Sequence, residues 1–144
     1  MKKSIFLILL FSSYIYSVDR DITAKVYGTV FSELYQNRDL VYVYIQDNSY
    51  LKYFNKKSIK ATFDISKATV ALVSSAKELE KVVSQNRDLA IFTTKQRILY
   101  KSDNVIGGFY WTKGRRQLIF IEERLNRYHI SLPDEYKRYT IERL

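Results

Sequence analysis

Residues 68–93 read ATVALVSSAKELEKVVSQNRDLAIFT, and this segment gives the clearest indication of the fold class. It begins with a mainly apolar run, which is typical of a strand buried on both faces. Ser75 is followed by Glu78 with the spacing of a capping box, which predicts a helix over residues 76–84. Residues 89–93 form a second short apolar run. A strand–helix–strand unit of this kind predicts a largely parallel sheet with helices on both faces.

The segments before this unit extend the same pattern. Residues 40–45 are β-branched and aromatic, which indicates another buried strand. The polar residues 47–49 are suited to capping a short helix that reaches Phe54, and residues 59–65 form a minor strand. Residues 21–36 fit an amphipathic helix, with an apolar residue at every fourth position, and also fit an alternating strand. The helix accounts for the longer stretch and is preferred.

The segment after the strand–helix–strand unit predicts a β-hairpin. Two strand-like runs, residues 105–111 and 117–121, lie on either side of Lys113 and Gly114. The Gly107-Gly108 pair lacks the spacing of a nucleotide-binding loop. A β-bulge or a close backbone contact is the simpler reason for these two glycines.

These elements together predict an α/β fold: a three-layer α/β/α domain with a mainly parallel central sheet and a C-terminal β-hairpin followed by helices. The last helices are expected over residues 122–128 and from Pro133 to Ile141, because proline suits the first turn of a helix. The chain has 144 residues with four glycines and one proline, and no linker is evident. We therefore expect residues 18–144 to form a single α/β domain.

The start of the chain has the pattern of a secretory signal peptide. Two lysines precede the short apolar run of residues 5–11, which is too short to span a bilayer, since that takes about 20 apolar residues. We expect residues 1–17 to be the signal peptide, with cleavage after Ser17, although Ile15 fits a small-residue cleavage site poorly. The expected location is the periplasm, with no integral membrane segment after signal removal. The alternative is an uncleaved membrane anchor.

The charge of the chain points to acidic partners. The formal net charge is +9, and removal of the two leader lysines leaves it strongly basic. Export would separate the protein from nucleic acid, so we expect no nucleic acid and consider acidic proteins or other anions as partners. Between residues 95 and 116 there are six basic residues and one acidic residue, Asp103. These six form the candidate partner or anion-binding site, with a merely solvated turn as the alternative: Lys95, Arg97, Lys101, Lys113, Arg115 and Arg116.

The side chains that carry enzyme chemistry are sparse. The chain has no cysteine and one histidine, His129, so a histidine cluster for a metal is excluded. The pair Glu122-Glu123 lies at the start of a predicted helix, where carboxylates complement the helix dipole. We expect no catalytic residue, no metal and no cofactor, and therefore a protein that is not an enzyme.

The order of the elements resembles that of the YfiR-like periplasmic proteins. The strand ending in small polar residues at Ser75, its helix and the next strand carry the likeness, and its most specific part runs from Gly107-Gly108 to Leu132. The resemblance implies a periplasmic regulator that binds an inner-membrane diguanylate cyclase and holds it inactive. Members of that family carry cysteines that form disulfides, and this chain has none, so redox control of that kind is not expected.

The expected function is accordingly a periplasmic, non-enzymatic binding and regulatory protein. Its expected partner is the periplasmic domain of an inner-membrane protein. The same arrangement also resembles one lobe of a periplasmic solute-binding protein, although one lobe alone lacks the cleft between two lobes. A solute-binding-like accessory protein of a transport system is therefore the alternative.

Overall fold

A seven-stranded sheet forms the centre of the protein. The computed structural model describes residue 22 and residues 25–144. The predicted signal peptide, residues 1–17, lies outside these described residues. Along the chain the strands are β1 (Val41–Tyr44), β2 (Ile59–Thr62), β3 (Val70–Val73), β4 (Ala90–Thr93), β5 (Val105–Thr112), β6 (Arg115–Ile121) and β7 (Thr140–Ile141).

The sheet is mainly parallel, as the sequence predicts. In space the strands follow the order β2-β1-β3-β4-β5-β6-β7, and the first five of these are parallel. β6 is antiparallel to β5, and β7 is parallel to β6. The order of the first five strands is that of a doubly wound sheet, whose chain direction across the sheet reverses between β1 and β3.

Within the described residues, three α-helices and four short 3-10 helices flank the sheet. Helix α1 covers residues 25–34, which confirms the helical interpretation of that segment over the strand. Helix α2 is Ala76–Gln85 and helix α3 is Glu122–Arg127. The 3-10 helices are Asn48–Tyr53, Ile65–Lys67, Gln96–Tyr100 and Asp134–Tyr139.

Two hydrophobic cores, one on each face of the sheet, make the three layers. Along β3, Val70 and Leu72 pack into the core beneath α1, whereas Ala71 and Val73 pack into the core beneath α2. Successive side chains of a strand point to opposite faces, so a strand buried on both faces is apolar at every position. Burial on both faces therefore explains why residues 70–73 are all apolar.

Helix α2 begins where the sequence predicts. The Ser75 side chain accepts a hydrogen bond from the Glu78 backbone N–H at 3.2 Å. The Glu78 carboxylate reaches back and accepts a hydrogen bond from the Ser74 N–H at 2.6 Å, one residue earlier than the usual reciprocal bond. Two backbone donors at the start of the helix are thus satisfied, and Leu79 and Val82 are buried on its inner face.

The two adjacent glycines of β5 lie where β4 and β6 come closest to it. A Cβ atom on Gly107 would lie 2.5 Å from the Ile119 carbonyl oxygen, and one on Gly108 would lie 2.9 Å from the Thr93 methyl. The β4–β5 register also shifts between Ile91 and Phe92. Both features agree with the predicted reason for these glycines, a bulge or a close backbone contact.

The predicted final helix is wrong in its last turn. It was expected to run from Pro133 to Ile141, but the 3-10 helix ends at Tyr139 and the next two residues form β7. Thr140 pairs with Phe120 of β6, and Ile141 pairs with the next residue. This pairing with the outer edge of β6 outweighs the local preference of the segment for helix.

Candidate functional site

The candidate site is built around the turn between β5 and β6. Lys113 and Gly114 connect the two strands, and both have positive φ angles, 48° and 76°. Two consecutive left-handed residues are characteristic of the two-residue turn whose twist matches that of the adjoining strands. The Lys113 side chain is exposed at this turn.

Arg115 and Arg116 leave the turn on opposite faces of the sheet. Arg115 pairs with Thr112 and is exposed, whereas Arg116 pairs with Trp111 and is half-buried. The Arg116 guanidinium carbon lies 5.2 Å from the centre of the Trp111 ring, in the range of a cation–π contact. Arg116 is therefore partly covered by its contact with the indole, whereas Lys113 and Arg115 are exposed.

Lys95 and Arg97 lie beside this turn. They flank Gln96 at the start of the 3-10 helix, and the Gln96 side-chain oxygen is 3.3 Å from the Thr112 hydroxyl, which donates a hydrogen bond to it. This contact holds the start of the 3-10 helix against the end of β5. Five of the six candidate cations thus belong to one region, which we call the tip surface: Lys95, Arg97, Lys113, Arg115 and Arg116, together with Trp111.

Lys101 lies apart from the other five. It follows the 3-10 helix Gln96–Tyr100, so it lies six positions after Lys95 in the chain. At about 2 Å per residue that helix carries it about 12 Å away. The Ser102 carbonyl next to it faces the beginning of β5, which is the opposite end of the strand from the turn.

The acidic residue of this segment is directed away from the turn. Asp103 lies 3.4 Å from the Arg124 guanidinium on α3. In the part of the chain that the structure describes, no ion pair involves Lys95, Arg97, Lys113 or Arg115. Exposed cations without nearby carboxylates produce a positive potential that extends about 8–10 Å into a physiological salt solution. The tip surface is therefore suited to attracting an acidic surface.

The tip surface also carries an exposed aromatic residue that the sequence analysis passed over. Trp111 is 55% exposed, although it lies in a strand whose earlier residues are all buried. The available signal for it was its place in the sequence, two residues before Lys113, where the strand leaves the core and approaches the turn. Tyrosine, tryptophan and arginine are the residue types that dominate binding energy in protein interfaces.

The edge at which doubly wound sheets usually bind ligands is filled in this protein. That place is the switch point between the carboxyl ends of β1 and β3. The cavity there measures about 10 Å³ and is lined by Asp47, Ser74 and Glu78, among others. The Glu78 carboxylate occupies the start of α2, where an anionic ligand would otherwise bind.

A larger cavity, of about 480 Å³, lies at the opposite edge, where β1, β3 and β4 begin. Its charged lining residues are Arg38, Lys67 and Asp88. Tyr35 and Tyr128 also line it, and burial raises the pKa of both phenols. The Tyr35 hydroxyl is buried and has no hydrogen-bond partner among the described residues. We call this the amino-edge cavity.

The remaining chemistry-bearing groups are scattered. His129 is exposed and has a positive φ of 55° just after α3. Within residues 25–144 and residue 22, no three metal-ligating side chains come together. Among those same residues there is no helix with the length and apolar character needed to cross a membrane.

No model of a known protein family matches this chain, and no curated protein matches it.

Proposed function

We propose that this protein is an exported, non-enzymatic binding and regulatory protein that holds an inner-membrane diguanylate cyclase inactive through contacts with its periplasmic domain. The proposal rests on the tip surface, on the signal-like start of the sequence and on the resemblance to YfiR-like proteins. The single observation that carries it is the exposed Trp111 ring beneath Arg116, surrounded by further cations.

Trp111 and Arg116 are suited to be the anchor of an interface. The indole offers a large flat apolar area, and the guanidinium above it is held in place before any partner arrives. Since a side chain that is already ordered loses less entropy on binding, such a pair contributes more affinity than two mobile side chains. Loss of an anchor of this kind typically costs 2 kcal/mol or more, which is about 30-fold in Kd.

The surrounding cations are suited to steering. Lys113 and Arg115 are exposed beside the anchor, and Lys95 and Arg97 lie at the adjacent helix start. Long-range attraction to an acidic partner raises association rates by roughly ten- to a thousandfold. Exposed cations contribute little to folding, so changing them separates binding from stability.

The test is a pull-down from the solubilised membrane fraction of the bacterium that encodes the chain, with two variants and matched controls. The anchor variant is Trp111→Ala, and its control is Phe63→Ala, because Phe63 is 53% exposed and lies just after β2, far from β5 in the strand order. The charge variant changes Lys113, Arg115 and Arg116 together to Glu. Its control makes the same change at three exposed lysines elsewhere: Lys56, Lys57 and Lys60.

We expect wild type and both controls to retain a membrane diguanylate cyclase, and both tip variants to lose it. The charge variant should also slow association with the isolated periplasmic domain, and added salt should slow wild-type association in the same way. Equal retention by the tip variants and their controls would refute the tip surface as the binding site. Absence of any cyclase from the wild-type sample would refute the function itself.

The amino-edge cavity supports a second candidate, a solute-binding-like accessory protein of a transport system. Its volume of about 480 Å³ lies within the range of small-molecule sites. Arg38 and Lys67 offer positive charge to an anionic solute, and the Tyr35 hydroxyl offers a hydrogen bond that no described residue uses. In this case the pull-down should retain a permease instead of a cyclase.

Thermal unfolding in the presence of inorganic phosphate or citrate tests the solute-binding candidate separately from the regulatory one. A bound ligand stabilises the folded state by about 2.7 kcal/mol at a hundredfold excess over Kd. A solute-binding protein should show a rise in Tm with one of the probes, and the double variant of Arg38→Ala and Lys67→Ala should not. Equal melting temperatures with and without both probes would remove the support that the cavity gives to this candidate.

A further inference from the structure

The amino-edge cavity is lined by one positive and one negative side chain that are not neutralised by their surroundings. Arg38 and Asp88 both line it, and within the described residues neither takes part in an ion pair, with the other or with any third group. Lys67, the third charged residue of the lining, lies 3.9 Å from Asp64. A ligand with a single charge would satisfy only one of the two sides, whereas a ligand with both charges would satisfy the two together.

The positive side of the cavity follows the end of α1. The Arg38 guanidinium carbon lies 5.9 Å from the centre of the Tyr35 ring, in the range of a cation–π contact. The Tyr35 hydroxyl is buried and has no hydrogen-bond partner among the described residues. Burial raises the pKa of this phenol, so it keeps its proton at neutral pH and is available as a donor. A guanidinium beside a phenol donor is suited to holding a carboxylate.

The negative side of the cavity follows the end of α2. The Asp88 N–H donates a hydrogen bond to the Asn86 side-chain oxygen at 3.1 Å, which fixes the loop after the helix. Helix α2 has no basic residue in its last turn, so no cation of that turn offsets the partial negative charge of its C-terminus, equivalent to about half an elementary charge. The carboxylate and the helix end together favour a cation.

The charge of Asp88 is felt inside the cavity. Burial is the main cause of the raised pKa of Tyr128, which also lines the cavity, and the negative charge of Asp88 acts in the same direction. The rest of the lining includes apolar side chains, among them Leu40 and Ile130. The volume of about 480 Å³ therefore offers two charged sides and an apolar wall to one small molecule.

We propose that the amino-edge cavity binds a small organic zwitterion, with its carboxylate against Arg38 and the Tyr35 hydroxyl and its ammonium group against Asp88 and the end of α2. The inference rests on the second proposed function in using the same cavity, and it adds recognition of a cation to the recognition of an anion. Phosphate and citrate would occupy only the positive side, so they should bind more weakly than a zwitterion. Amino acids are the ligand class that carries both charges beside an apolar body.

The test compares matched ligands by isothermal titration calorimetry with the purified mature protein. L-leucine and 6-aminohexanoate are isomers that carry the same two charges at different spacings. Their analogues without the ammonium group are 4-methylpentanoate and hexanoate. Their analogues without the carboxylate are 3-methylbutylamine and pentylamine. Each zwitterion is thus compared with two molecules that share its apolar body and keep one charge.

Two variants each remove one charge from the cavity, and each has a matched control. Asp88→Asn is compared with Glu80→Gln, which removes an exposed carboxylate from α2 outside the cavity lining. Arg38→Gln is compared with Arg143→Gln, which removes an exposed guanidinium near the end of the chain. All four side chains are exposed, so we expect each variant to fold with a stability within about 0.5 kcal/mol of wild type.

We expect at least one of the two zwitterions to bind about tenfold or more tightly than both of its analogues. Asp88→Asn should weaken binding of that zwitterion about fivefold or more and should not weaken binding of its carboxylate analogue, which has no group for Asp88. Arg38→Gln should weaken binding of both, because both present a carboxylate. The two control variants should bind as wild type does. Which isomer binds more tightly reports the spacing between the two charged sides.

Analogues that bind as tightly as the zwitterions would overturn the inference and leave the second proposed function standing, with a simple anion or cation as its solute. Equal affinities of Asp88→Asn and Glu80→Gln for the zwitterion would also overturn it. So would the failure of both isomers to bind wild type with a Kd below about 10 mM. The membrane protein retained in the pull-down is a separate result, so either proposed function can fail while zwitterion binding stands.

Discussion

Arg124 is the side chain whose removal should most clearly destabilise this protein. It lies on α3 and is almost completely buried, with 9% of its side chain exposed. One guanidinium nitrogen shares its two N–H donors among three backbone carbonyls, those of Leu99 at 2.8 Å, Ser102 at 3.1 Å and Val105 at 2.8 Å. Arg124 thus ties the end of the Gln96–Tyr100 helix and the beginning of β5 to α3. Its own burial lowers its pKa.

The expected cost of Arg124→Met follows from those three carbonyls. Methionine fills much of the same volume but donates no hydrogen bond, so the Leu99 and Val105 carbonyls are left buried without a donor. A buried polar group that loses its partner costs about 1–3 kcal/mol, whereas the Asp103 contact adds little because that carboxylate is 73% exposed. We expect a loss of about 3–5 kcal/mol, a large share of the roughly 5–15 kcal/mol that stabilises a domain.

Urea unfolding followed by circular dichroism measures this loss. The matched control is Arg127→Met on the same helix, where the side chain is exposed and the change should stay within about 0.5 kcal/mol. Asp103→Asn should also change stability by less than about 1 kcal/mol. If Arg124→Met unfolds at the same urea concentration as Arg127→Met, then Arg124 does not hold this part of the chain together, and the reasoning from the three carbonyls fails.

Three further predictions concern the core and the cavity. Leu72→Ala should cost about 2–5 kcal/mol in urea unfolding, because Leu72 is buried in the middle of the sheet, and an unchanged midpoint would contradict its placement. Gly107→Ala should cost at least about 1–3 kcal/mol, since its Cβ meets the Ile119 carbonyl, whereas Gly28→Ala in α1 has room and should be neutral or stabilising by up to about 1 kcal/mol. Tyr35→Phe should change stability at pH 7 by less than about 1 kcal/mol, because its hydroxyl has no described partner. Burial raises the Tyr35 pKa, so its contribution is complete below the unfolded value of about 10 and is lost as pH rises further. The variant should therefore lose less stability than wild type in alkaline melts, and equal losses would show that this phenol does not titrate on unfolding.

The central part of the fold could be predicted because its local and global preferences agree. The capping residues Ser75 and Glu78 fix where α2 begins, and the apolar runs on either side of it are buried on both faces. Each of these signals lies within a few residues of the element it specifies. The structure of a segment can be predicted from sequence alone when its local signal agrees with its tertiary environment.

The features that could not be predicted depend on contacts between distant parts of the chain. β7 forms because it pairs with the outer edge of β6, and the sequence of residues 140–141 does not indicate this pairing. Arg124 looks like a surface arginine on a short helix, yet it donates to carbonyls 19 to 25 residues earlier in the chain. The candidate cations were grouped by their closeness in sequence, and the structure brings five together while the Gln96–Tyr100 helix separates Lys101 from them.

The position of the tip surface depends on the same interior that Arg124 and Gly107 secure. β5 carries Trp111 out of the core, and its beginning is held by Arg124 while its middle is pressed between β4 and β6. A strand fixed at both points presents its final residues in one orientation, which reduces the entropy lost when a partner binds. Weakening the interior should therefore weaken binding even though no interface residue has changed.

Arg124→Lys is the variant that tests this coupling between the interior and the tip surface, because it keeps the charge but replaces the planar guanidinium donors with a single ammonium group. If the proposed interface is correct, Arg124→Lys should weaken retention of the cyclase at temperatures where the protein is still folded, whereas Arg127→Lys should not. Equal retention by the two lysine variants would mean that the tip is oriented by the β5–β6 turn alone.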